Sequence, residues 1–218
     1  MYKISDLFDL SRTRAAGYLA GFTWPHEALA GIKGMIAALG PTLPADEFDH
    51  PSDTVWIARD AKIAQTAFIG ENVIIDHGAE VRPGAFIRGS ALIGQNTVVG
   101  NSTELKNVIL FDNVQVPHYN YVGDSILGYH AHMGAGAVTS NVKGDRSLVT
   151  VRDGSEKIET GLKKMGAMLG DWAEIGCNSV LNPGTVIGRS AQVYPLTSVR
   201  GTVPANCIHK GSEIVEKR

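Results

Sequence analysis

Residues 101–141, NSTELKNVILFDNVQVPHYNYVGDSILGYHAHMGAGAVTSN, hold the chain's densest set of groups able to move protons or grip phosphate. The set comprises Glu104, Lys106, His118, Tyr121, Asp124, His130, His132 and Asn141. A neutral imidazole, with an ordinary pKa of about 6.5, can take a proton from an ammonium group near neutral pH. Lysine meets phosphate as a point charge and arginine as a planar fork. Such a mixture suits proton abstraction beside an anionic ligand. A lone histidine on a protein wall is more commonly a surface residue, so the argument rests on the crowding. A metal reading is also open. His118, His130 and His132, with His77 further off, are the histidines available to a metal ion. His130 and His132 are two apart and could share one face of a strand.

A repeat must position these groups. From residue 55 aliphatic residues recur every six positions: Ile57, Ile63, Ile69, Ile75, Val81, Ile87, Ile93, Val99 and Leu105. The register slips by one to Leu110, Val116 and Val122, and again to Leu127 and Met133. It resumes at Leu169, Ile175, Leu181, Ile187, Val193 and Val199. A six-residue period fits neither a helix nor a hairpin meander. It fits short parallel strands joined by tight turns, three hexads to a triangular coil, each coil burying its apolar side against its neighbours. Small residues such as Ala79, Ala85 and Ala91 fall where the wall turns closely. The period predicts an all-β parallel β-helix over residues 49–218.

Two stretches break the pattern. Residues 1–48 read as a helical cap over the open end of the stack. Ser5 is placed to cap a first helix running toward Gly21. Pro25 opens a second, whose Leu29, Ile32, Ile36 and Leu39 share a face, and Gly40-Pro41 ends it. Residues 41–53 carry three prolines and read as a linker. Residues 142–168 read as a loop insertion, with a hairpin around Asp153-Gly154 flanked by Val149, Val151, Ile158 and Thr160. A long excursion from a compact wall is a natural place for function.

Composition narrows the classes. Of 218 residues, 44% are hydrophobic and the formal net charge is −2, so no bulk field draws in nucleic acid or an anionic membrane. No apolar run approaches the ~20 residues of a membrane span, and no signal-peptide core is present. Cys177 and Cys207 lack the spacing of a disulfide framework or a thiolate metal site. A cytoplasmic protein is expected.

The polar stretch resembles the acetyltransferase domain of the bifunctional bacterial enzyme that makes UDP-N-acetylglucosamine, a hexapeptide-repeat acyltransferase. The matching motifs are Glu104-Leu105-Lys106-Asn107, His118-Tyr119-Asn120-Tyr121-Val122-Gly123-Asp124, Met133-Gly134-Ala135-Gly136 and Thr139-Ser140-Asn141. Arg82-Pro83-Gly84-Ala85 also matches, with one extra hexad before Glu104. The resemblance implies a left-handed helix and a homotrimer with sites between subunits. It implies acetyl-CoA as co-substrate, an amino-sugar phosphate such as glucosamine-1-phosphate as acceptor, and no metal. His118 would be the general base, and Glu104 would hold the amino sugar or tune that histidine. Lys106 with Arg88 (by distance) or Arg82 (by motif) would grip the phosphate, and Tyr121 would add a hydroxyl. Asn141 and His132 would line the sugar. The Ala135 N–H would stabilise the oxyanion. Ala135, Lys164, Cys177 and Pro195 would contact the coenzyme, Lys164 reaching into a neighbour's site.

The departures are specific. His132 replaces an asparagine, and Val142 replaces an aromatic residue. Cys177 and Pro195 occupy positions where the family has small residues. The 142–168 loop is longer than the family's. The nucleotidyltransferase half has no counterpart in the 48 helical residues. The altered coenzyme side motivates an alternative: a non-catalytic sugar-phosphate or nucleotide-sugar binding protein accessory to a nucleotidyltransferase. In the metal alternative, resembling the γ-class carbonic anhydrases, the arginine, aspartate and glutamine pattern expected around the zinc is missing.

Overall fold

The computed structural model describes residues 2–217. The fold is a left-handed parallel β-helix, as the hexad period and the resemblance lead one to expect. Its three inward columns are the aliphatic series read from the sequence. Ile57, Ile75, Ile93, Leu110, Leu127, Leu169, Ile187 and Val203 stack in register on one wall. Ile69, Ile87, Leu105 and Val122 stack on the second, which continues through Thr139, Leu181 and Val199. Ile63, Val81, Val99 and Val116 stack on the third, which continues through Met133, Ile175 and Val193. They are named here the Ile75, Ile69 and Ile63 walls. Nearly all of these side chains are buried, so each coil is sealed by its neighbours about 4.8 Å away.

The first slip in the hexad register has a structural cause. Strand Phe86–Ile93 carries one more residue than strand Glu104–Leu110, and their register shifts between Ile87 and Gly89. Arg88 is the extra residue. A bulge of this kind re-aims the bulged side chain. Corners are closed by left-handed residues: Asn72, Ser90, Asn107 and Asp124 follow one another on the corner between the Ile69 and Ile75 walls, with φ between 48° and 56°. Asn and Asp tolerate that region better than other non-glycine residues.

The N-terminal segment differs from the reading in two ways. It is not two helices but short pieces: Ile4–Leu7, Leu10–Arg12, Ala16–Leu19, Pro25–Gly31, Ile32–Leu39 and Gly40–Thr42. Lys3, not Ser5, caps the first, and its N–H is taken by the Asp6 carboxylate. The Asp9 side chain then accepts from the Ser11 N–H, a local turn that competes with helix. The segment also does not sit on the end of the stack. It runs lengthwise, with Tyr2 Oη accepting from the Ala205 N–H, Leu7 O from Asp171 N–H, and Arg12 O from Asp112 N–H. Phe8 packs on Phe111 and Arg14 pairs with Asp76.

It thereby covers the Ile75 wall, whose outward residues Ile74, Leu92, Ile109, Ile126, Met168 and Val186 are fully buried. A sheet buried on both faces reads as a continuous apolar run. Val73-Ile74-Ile75 and Val108-Ile109-Leu110 are such runs. The expected linker is also partly ordered: Phe48–Ser52 pairs antiparallel with Val55–Ala58. Pro51 fits there because it lies on an outer strand.

The insertion leaves the wall after Asn141 and returns beside it, the Met165 N–H donating to Asn141 O at 3.0 Å. The expected hairpin is present, Thr150–Asp153 against Glu156–Glu159, with Gly154 at φ +59°. Val149 and Val151 are fully buried, so the hairpin is packed down rather than waving in solvent.

Candidate active site

The open corner between the Ile63 and Ile69 walls carries His118. Strand Gln115–His118 ends there, and Asn101 and His118 are register partners. Turn hydrogen bonds carry the column onward: Gly136 N–H donates to His118 O at 3.0 Å and Asn178 N–H to Ala135 O at 2.8 Å. Leu196 N–H closes the next step on Cys177 O at 2.9 Å. His118, Ala135, Cys177 and Pro195 therefore occupy equivalent positions on four successive coils. His118, Cys177 and Pro195 are exposed. The His118 ring has no hydrogen-bond partner among the described residues, and the Ala135 N–H has no acceptor among them. An imidazole free to take a proton thus stands one coil from a backbone donor free to meet an oxyanion.

A buried amide fixes this corner. Asn120 is 2% exposed, and its Oδ1 accepts from the His118 N–H at 3.1 Å. Its Nδ2 donates to Gly134 O at 2.8 Å and Ala137 O at 3.0 Å. One side chain ties the backbone of His118 to the turn that presents Ala135. Asn120 lies within the His118–Asp124 motif, where the resemblance implies no role for it. Nothing local marks an asparagine as buried, since the same type closes exposed corners elsewhere in the chain.

The Ile69 wall continues from this corner. Glu104 N–H donates to Asn120 O at 2.8 Å, and Glu104 and Tyr121 are register partners. Arg88 Nη1 donates to Glu104 Oε1 at 2.9 Å. Lys106 Nζ contacts Asp124 Oδ1 at 2.7 Å, and Asn107 Nδ2 reaches the same oxygen at 3.0 Å. Asn141 Nδ2 donates to Asp124 Oδ2 at 2.6 Å and to Tyr121 Oη at 3.1 Å. Asp124 is buried at the centre of this network. Burial pushes the Tyr121 hydroxyl pKa up, and the charges of Asp124 and Glu104 add to the shift, so Tyr121 stays protonated and able to donate.

Both cations keep free donors. An ammonium has three N–H bonds and a guanidinium five, and each uses few here. Ion pairs with neighbouring coils hold the two heads in place.

Other expected residues fall elsewhere. Arg82 bonds Glu80 through Nε at 2.8 Å, so it is Arg88 that the fold brings to Glu104. His132 faces out from the Ile63 wall, its Nδ1 2.8 Å from Glu174, around the corner from Tyr121 and Asn141. Lys164 is exposed on the return arm next to Met165, beside Asn141 rather than beside the Ala135 column. His130 stacks on Trp172 with ring centroids 4.0 Å apart, on the corner covered by Arg12. His77 lies between Asp60 and Glu47. The four histidines of the metal reading do not converge, and no group of three or more His, Cys, Asp or Glu among the described residues is arranged to hold a metal ion. No helix among them is long and apolar enough to cross a membrane.

Residues 69–155 match the family model described as the GMPPB C-terminal domain. A bifunctional sugar-1-phosphate nucleotidylyltransferase/acetyltransferase of Sulfurisphaera tokodaii is 33% identical over 91 residues, 42% of this chain and 23% of that protein. The bifunctional protein GlmU of Methanocaldococcus jannaschii is 31% identical over 115 residues, 52% of this chain and 28% of that one. The chain resembles a hexapeptide-repeat acetyltransferase. The matched region spans about a quarter of the length of these relatives. Among solved structures, the polySia-specific acetyltransferase NeuO aligns with a TM-score of 0.49 at 12% identity, over 76% of this chain and 88% of that one. The stretch matched by the family model contains the His118 corner and the Asp124 network, so the resemblance falls on the part of the chain where the geometry is most organised.

Proposed function

We propose that this chain is an acetyl-CoA-dependent N-acetyltransferase acting on the amino group of a phosphorylated sugar. The observation that carries the reading is the alignment of His118 with Ala135, Cys177 and Pro195 on one exposed corner, beside a wall bearing Arg88 and Lys106. The His118 ring takes a proton from the acceptor's ammonium group. The freed amine attacks the thioester carbonyl, forming the C–N bond. The carbonyl oxygen becomes an oxyanion held by the Ala135 N–H. The C–S bond then breaks, the new amide nitrogen releases its extra proton to solvent, and the thiolate leaves with the proton that the His118 imidazolium holds. Arg88, Lys106 and Tyr121 bind the phosphate, while Glu104 and Asn141 hold the sugar. Cys177 and Pro195 adapt the coenzyme side. The named relatives are bifunctional sugar-1-phosphate nucleotidylyltransferase/acetyltransferase and GlmU proteins, and this supports a sugar acceptor.

Glucosamine-1-phosphate is the acceptor we favour, and a homotrimer that brings a neighbour against the open corner is the assembly. A thiol-release assay with acetyl-CoA against glucosamine-1-phosphate and a set of nucleotide-linked amino sugars tests the reading. Thiol release that requires one of these acceptors is expected. Absence of release with all of them would favour the non-catalytic binding protein instead.

A further inference from the structure

The inserted hairpin does not merely pad the wall. Between it and the last coils lies a cleft of about 430 Å³, whose lining includes Lys143, Arg152 and Arg200 together with Thr150 and Thr202. No carboxylate is among its lining residues. The cations are unusual within this chain. Of its arginines, Arg12, Arg14, Arg59, Arg82, Arg88 and Arg189 each pair with an aspartate or glutamate. Arg146, Arg152 and Arg200 are the described arginines without such a pair, and two of these three line the one cleft. Lys143 Nζ is held by Ser147 Oγ, with Asp145 at 3.9 Å.

The cleft is built rather than incidental. Thr202 Oγ1 donates to Arg152 O at 2.9 Å, pinning the hairpin to the last coils. A Cβ on Gly201 would stand 2.8 Å from Arg152 O, and one on Gly184 2.6 Å from Thr150 O. Glycine at both positions permits the close approach. The two guanidiniums are thus carried by a docked strand and a solenoid corner, both fixed.

The cleft also lies on the corner that bears Asp124 rather than the corner of His118. Gly166 N–H donates to Asp124 O, Gly184 N–H to Gly166 O, and Gly201 follows one coil further on. Three coil steps put it roughly 14 Å along the helix axis from Asp124. Unpaired guanidiniums in a preformed polar cleft suit a bidentate oxyanion, and the volume exceeds what a single phosphate needs.

We infer that this cleft binds the diphosphate group of a nucleoside-diphosphate ligand. Its source is either a nucleotide-linked acceptor or coenzyme A, since both carry that group. The choice between these two sources rests on the proposed acetyl transfer, whereas binding of the diphosphate group is tested without turnover.

The test uses the full chain and inorganic pyrophosphate, titrated calorimetrically at low salt. Binding is expected, and Arg152→Gln/Arg200→Gln should weaken it by at least about tenfold. Arg146→Gln, which removes an unpaired arginine outside the cleft, should leave it unchanged. Displacement of pyrophosphate by UDP or GDP but not by coenzyme A assigns the cleft to the acceptor; the reverse assigns it to the coenzyme. No binding of pyrophosphate, or equal binding by wild type and double variant, would overturn the inference. So would an equal loss in Arg146→Gln, because it would mark a diffuse charge effect. Matching thermal unfolding curves for the variants keep a folding defect from mimicking the loss.

Discussion

Asp124 shows how a single residue organises the end of the candidate site to which we assign the phosphate. Its left-handed φ of 48° turns the corner, and its buried carboxylate receives Lys106, Asn107 and Asn141. Asn107 donates also to Leu29 O, so the network reaches the N-terminal segment. Asp124→Asn would leave Lys106 without its counter-charge. The ammonium is part-exposed, so the loss is smaller than the ~3–5 kcal/mol of a fully buried pair; we expect about 2 kcal/mol in urea unfolding. Acceptor KM should rise as Lys106 and Asn141 lose their positions. An unchanged KM would mean that the network is structural only. At this scale residue types were readable but partnerships were not. Glu104, Lys106, His118 and Tyr121 stood out by chemistry, whereas the choice between Arg88 and Arg82 needed the bulge. Nothing in a linear sequence says which of two arginines a bulge will turn toward Glu104.

At the scale of elements, the corner held by Asn120 matters most. One amide satisfies the His118 N–H and the carbonyls of Gly134 and Ala137. Asn120→Ala would strand these buried groups at a cost of about 1–3 kcal/mol. We expect kcat to fall while the KM values change little, because His118 and the Ala135 N–H lose their spacing but the wall of Arg88 and Lys106 is untouched. A loss confined to stability, with kcat preserved, would make Asn120 a packing residue. The walls were legible because a six-residue period leaves few alternatives. The N-terminal segment was less so. Its apolar face announced burial, but the partner surface was signalled only by the unbroken apolar runs Val73-Ile74-Ile75 and Val108-Ile109-Leu110. The hairpin could be read from Asp153-Gly154; its docking depends on the close approach that Gly184 and Gly201 permit to Thr150 and Arg152, which no local pattern encodes.

At the scale of the whole molecule, the long strap over the Ile75 wall couples distant coils, and three histidines, buried His26 and half-buried His130 and His209, make the fold sensitive to acid. Burial lowers the pKa of His26, His130 and His209, with Arg12 adding to the effect at His130. A lowered folded pKa means that the stabilising contribution is present above the unfolded value of about 6.5 and is lost as pH falls through the folded value. His77 is raised: its burial acts downward, but hydrogen bonds to Asp60 and Glu47 outweigh it, so it works in the opposite sense. Through these lowered histidines Tm falls as pH drops from 7.5 to 5.5, and His130→Asn should flatten that slope. Differential scanning fluorimetry reads this directly; a Tm that rises over that interval would contradict the assignment.

In the reaction we propose, His118 is the base of an acetyl transfer. The measurement that tests it most directly is steady-state thiol release from acetyl-CoA with glucosamine-1-phosphate, wild type against His118→Ala. We predict turnover in the wild type and a kcat reduced about 10²–10⁴-fold in the variant, with the fold unchanged by circular dichroism. Equal rates in the two proteins would contradict the account.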